Sequence, residues 1–123
     1  MDAALRERHL ERITDPRAVN VYDALCEACD GRDGGMTPAD QMIVRDIAYA
    51  EQIKGLLTAD IAERGVGRER SNGRQRYYEE NKSLGQLRAY VEQQRKLLGE
   101  LRLTPASRKA EQIGLEDDAF DDF

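Results

Sequence analysis

Apolar residues recur at helical spacing in two long stretches of the chain. In the later one, residues 81–109, Leu84, Leu87, Val91, Leu98 and Leu101 follow a 3-4-3-4 pattern, with Gln94 where one more apolar residue would fall. The pattern predicts a helix with an apolar seam, widened on one flank by Tyr90 and Leu97. Ser83 and Gln86 have the spacing of a capping box at its start, and Pro105 after Thr104 is the expected stop. In the earlier stretch, Thr37-Pro38-Ala39-Asp40 reads as a helix start, with a hydroxyl cap, proline in the first turn and a carboxylate near the positive end of the helix dipole. Ile43, Ile47, Ala50, Leu57 and Ile61 mark its buried stripe, with Met42 and Ile53 alongside, and Gly65 is the predicted stop.

The remaining elements are shorter. Residues 2–13 are helix-prone and charged, with Leu5, Leu10 and Ile13 too sparse for a deep apolar face. Asp15-Pro16 starts another helix, which places Val19, Tyr22, Cys26 and Cys29 on one side and ends at Gly31. Between the two long helices, Asn72-Gly73 suits a type I′ turn and predicts a β-hairpin over residues 66–79. In that register Ser71 opposes Arg74, Arg70 opposes Gln75, Glu69 opposes Arg76 and Arg68 opposes Tyr77. The expected architecture is mainly α: two long helices, shorter N-terminal helices and one small β-hairpin. It divides into a charged N-terminal helix or arm (1–14), a helical core (15–110) and an acidic disordered tail (111–123).

Composition changes this picture in one respect. With 35% charged residues, 6% aromatics and no Trp in 123 residues, the chain has little apolar surface for a core, which favours stabilisation by self-association. The net charge of -5 is unevenly spread: residues 1–110 carry 19 basic and 18 acidic side chains, and the tail is purely acidic. Neither a signal-peptide core nor a bilayer-length apolar run is present, so the expectation is a soluble intracellular protein.

No catalytic constellation emerges. The single His9 lies in a charged helix and reads as a surface residue; Cys26 and Cys29 are at most half of a tetrahedral zinc site and read as small apolar packing groups. There is no phosphate-binding GxxxxGK[ST] loop and no nucleophile with an evident base, so neither cofactor nor metal is expected. Residues 64–76 hold five arginines against one acid, which makes Arg68, Arg70, Arg74 and Arg76 candidate phosphate contacts; Arg6, Arg8 and Arg12 form the alternative surface. Asp117, Asp118, Phe120, Asp121, Asp122 and Phe123 make an acidic peptide with aromatic anchors, suited to a basic groove on a partner.

The run from Leu101 through Thr104, Pro105, Ala106, Ser107 and Arg108 to Lys109 resembles the closing signature of one large family of phage terminase small subunits, in which a long helix enters a Leu-Thr-Pro-Ala-Ser-Arg motif. The Thr-x-x-Asp helix start, the hairpin and Asn81 also fit, so the resemblance spans roughly residues 37–110. It implies a ring-forming homo-oligomer in the host cell cytoplasm that binds viral double-stranded DNA and presents it to a large ATPase and nuclease subunit. On that reading Leu84, Leu87, Val91, Leu98 and Leu101 pack between subunits, Gln94 sets their register, and the tail contacts the large subunit. The alternatives are a helical oligomeric adaptor that binds only proteins through its tail, and a small enzyme built on the two cysteines.

Overall fold

Three short polar side chains begin the first three helices. Asp2 accepts from the Leu5 amide, and Asp15 accepts from the Arg17 amide beside Pro16. Thr37 and Asp40 exchange hydrogen bonds in a complete capping box. The computed structural model describes residues 1–103, so residues 104–109 of the closing motif and the whole tail, with Asp117, Asp118, Phe120, Asp121, Asp122 and Phe123, lie outside the described part. The elements are α1 (Ala3–Leu10), α2 (Pro16–Asp30), α3 (Pro38–Arg64), β1 (Gly67–Asn72), β2 (Gln75–Glu80) and α4 (Ser83–Glu100). The chain is mainly helical with one antiparallel hairpin, and α3 stops at Gly65 as its sequence predicts.

The core lies where α2, the first half of α3 and the end of α4 meet. Tyr22, Cys26 and Cys29 pack there with Val44, Ile47, Ala48 and Leu101, and Ile13 closes one side. Beyond Ala50, α3 has no fully buried residue: Ile53, Leu57 and Ile61 are half-buried and Leu56 is 64% exposed. The predicted stripe is thus deep only in its first half, and Met42, expected beside it, is exposed. The second half of α3 runs antiparallel to α4 as a two-helix arm, with Gln94 against Lys54 and Ser83 against Asp60, and the hairpin forms its tip.

Both ends of α4 depart from expectation. Ser83 is not half of a capping box: the cap position is Lys82, with no side-chain bond, because the Ser83 hydroxyl donates to Asp60 at 2.6 Å. The helix also closes before Thr104 and Pro105. Arg102 takes a left-handed φ of 61°, its amide donates to the Gly99 carbonyl, and the Leu103 amide donates to the Leu98 carbonyl, which is a Schellman closure. Leu98 and Leu103 both pack on the core, and the Arg32 guanidinium binds the Leu101 carbonyl and Asp40 together.

The hairpin turn is displaced by one residue. Asn72 pairs with Gln75, so Gly73 and Arg74 are the central residues, and Arg68, Arg70 and Ser71 face Glu79, Tyr77 and Arg76. A type I′ turn on Asn72-Gly73 would need two left-handed residues. Here glycine takes the first central place with φ 64°, and Arg74 keeps a negative φ. The expected Glu69–Arg76 and Arg68–Tyr77 pairs are replaced by Glu69 opposite Tyr78 and by an Arg70–Glu79 ion pair at 2.6 Å.

Candidate nucleic-acid interface

The base of the hairpin is fixed by a polar hub. Asp60 accepts from Arg64 at 2.6 and 2.7 Å, from Ser83 at 2.6 Å and from Asn81 at 3.2 Å. Asn81 also donates to the Gly65 carbonyl and accepts from the Ser83 amide, while its own amide donates to the Val66 carbonyl. One asparagine thereby ties the end of α3, both strand ends and the start of α4. These donors, Arg64 foremost and then Ser83 and Asn81, hold the Asp60 carboxyl well below the usual carboxylate range. Asp60 did not stand out in the sequence, and Asn81 did so only as part of the family resemblance, although an asparagine two residues before a helix is a signal for such a junction.

Opposed residues of a hairpin share a face, so the four arginines do not form a single surface. Arg68 and Arg70 lie on one face with Glu79, which draws on both and binds Arg70 directly. Arg76 lies on the other face beside Tyr78, and Arg74 stands at the turn. Neither Arg74 nor Arg76 has an ion-pair partner among the described residues. Tyr78 folds across Gly67, where a Cβ would collide with its ring.

The alternative arginine set is also divided. Arg6 forms a two-bond ion pair with Asp23 of α2 at 2.8 and 2.9 Å. Arg8 and Arg12 instead line a groove of about 570 Å³ between α1 and α3, with Leu5, Ile13 and Tyr49 as apolar walls and Arg45 opposite. Arg45, paired with its neighbour Asp46 at 3.0 Å, carries no periodic signal and was missed in the sequence. His9 is a correction: it is buried, 7% exposed, and its Nδ1 meets the Tyr22 hydroxyl at 2.8 Å. Burial, then the charges of Arg45 and Arg8, push its pKa down, which favours the neutral ring at neutral pH, and the Tyr22 hydroxyl that shares a hydrogen bond with it also accepts from Gln41.

Within the arm, Gln94 is buried against α3. Its amide donates to the Ile47 carbonyl at 3.0 Å and to Glu51 at 2.9 Å, and its oxygen accepts from Lys54 at 2.6 Å. Leu101 is fully buried in the core, Leu98 packs against it, Leu84 and Leu87 are half-buried, and Val91 is 49% exposed. Cys26 and Cys29 are buried free thiols, Cys26 pushed up to about 11 by burial. Among the described residues, no group of His, Cys, Asp and Glu is placed to hold a metal ion.

The arm carries arginines toward its tip, and comparison with protein families is decisive: residues 18–118 match the family described as phage terminase, small subunit. The chain belongs to that family. No curated protein and no solved structure matches it. Membership gives this terminase small subunit a role in phage packaging, and the match covers α2 from Ala18 onward, α3, the hairpin and α4. No helix among the described residues is long and apolar enough to cross a membrane.

Proposed function

We propose that this terminase small subunit binds viral double-stranded DNA as a homo-oligomer and presents it to the large ATPase and nuclease subunit, without chemistry of its own. The observation that carries the DNA assignment is the hairpin: an exposed spur, fixed at its base through Asn81, with Arg74 and Arg76 at its far end making no ion pair among the described residues. Guanidiniums so placed meet a phosphate backbone without first giving up an ion pair, whereas Arg68 and Arg70 are partly offset by Glu79. Repetition of the spur in an oligomer would multiply a contact that is weak in one copy. Leu56 and Val91, exposed on the arm, supply the apolar surface for subunit packing beside the half-buried Leu84 and Leu87. The acidic tail supplies the large-subunit contact.

The test is the salt dependence of binding to a DNA duplex. Replacing Arg74 and Arg76 together by Ala should weaken binding and flatten the log–log salt slope by about 2, since each lost phosphate contact removes about one unit. A slope equal to that of the unmodified protein would reject the hairpin and transfer the contact to Arg8 and Arg12.

A further inference from the structure

The groove between α1 and α3 combines two properties that the DNA reading does not use. Its guanidiniums, Arg8, Arg12 and Arg45, outnumber its one carboxylate, Asp46, and its walls are apolar. A phosphate backbone would satisfy the cations and leave the half-buried Leu5 and the exposed Tyr49 uncovered. A peptide alternating acidic and aromatic residues would satisfy both, and this chain contains one: Asp117, Asp118, Phe120, Asp121, Asp122 and Phe123.

We propose that the groove between α1 and α3 holds the chain's own acidic tail, with Phe120 and Phe123 against the apolar walls and the aspartates beside Arg8, Arg12 and Arg45. The end of α4 packs beside Ile47, on the face of α3 turned away from Arg45, Asp46 and Tyr49, so the tail reaches the groove by passing around the helix. Arg32 joins the Leu101 carbonyl to Asp40, and the groove's α3 residues follow within about 14 Å along the helix at 1.5 Å per residue. The thirteen residues 104–116 can span about 40 Å when extended, so reach does not limit docking. Arg8 and Arg12 make no ion pair among the described residues, so the tail displaces no internal partner from them. Occupancy of the groove and contact with another protein through the same tail exclude each other, which makes the docked form a resting state that a partner must open.

The chain's two phenylalanines are both in the tail, so growth with 4-fluorophenylalanine places fluorine only at Phe120 and Phe123 of the full-length protein. Docking predicts 19F resonances displaced from those of a synthetic peptide of residues 111–123. The displacement should vanish in Arg8→Glu/Arg12→Glu and return when Asp121→Arg/Asp122→Arg is added. Where the arginine double variant melts below the wild type, Tyr49→Ala at an exposed wall position takes its place. Resonances that coincide with the free peptide, or a displacement indifferent to the groove variants, overturn the proposal. Recovery of the displacement when the fluorinated groove variant is mixed with excess unlabelled wild type would place the tail on a neighbouring copy and overturn the assignment to its own.

Discussion

Asp60 shows how much a single side chain organises at the hairpin base. Its carboxylate accepts from Arg64, Asn81 and Ser83, and each donor favours the charged form. Because its pKa is depressed on folding, the stabilisation is complete above the unfolded value of about 4 and is lost as pH falls through the lower folded value. The direction is shared by Asp40, bonded to Thr37 and Arg32, and by Glu51, bonded to Gln94 and Lys54. Protection factors of the amides of residues 65–83, taken against intrinsic rates at each pH, should therefore fall below pH 4 more than those of the core, and Asp60→Asn should show the low hairpin protection already at neutral pH. Equal acid sensitivity in the two regions would remove Asp60 from this role. Sequence spacing does not expose such hubs, since residues 60, 64, 81 and 83 meet only after the hairpin folds back. The same limit hid His9, whose burial depends on a tyrosine thirteen residues away.

Among the elements, what the sequence made legible was what local chemistry decides. Asp15-Pro16 and Thr37-Pro38 begin helices because their side chains satisfy nearby amides, and Gly31 and Gly65 end them. The hairpin was legible as an element, but its register was not, because the Asn72-Gly73 and Gly73-Arg74 turns differ only in how many residues must be left-handed. The end of α4 was misplaced for the opposite reason: a nonlocal clamp from Arg32 and the burial of Leu101 stop the helix before proline does. Gly65 sits at φ 77° and ψ -176°, a region open essentially to glycine alone, where α3 turns into β1. Gly65→Ala should destabilise the fold by about 1–3 kcal/mol in urea unfolding monitored by circular dichroism. A change below about 0.5 kcal/mol would show that the junction relaxes into another conformation.

Across the whole molecule, burial is lopsided. One end of α3 lies in the core, and the other forms an arm two helices thick, too thin to cover Leu56 or Val91. The periodic seam of α4 was visible in the sequence, but how its residues divide was not: Gln94 and Leu101 are used inside the chain, and only Val91 is largely exposed. Leu56→Glu/Val91→Glu should lower the native mass measured by light scattering, while removal of residues 111–123 should leave that mass unchanged and weaken binding to the large subunit. A full-mass double variant would place the assembly surface elsewhere, and undiminished large-subunit binding would free the tail of that role. The junction of Arg32 with the Leu101 carbonyl and Asp40 adds a mechanical consequence. Tension applied to the chain beyond Leu103 is not borne by the last turn of α4 alone. It passes through the guanidinium into the capped start of α3, so a partner pulling on the C-terminus hauls the longest helix, with the arm it carries, as one rigid strut.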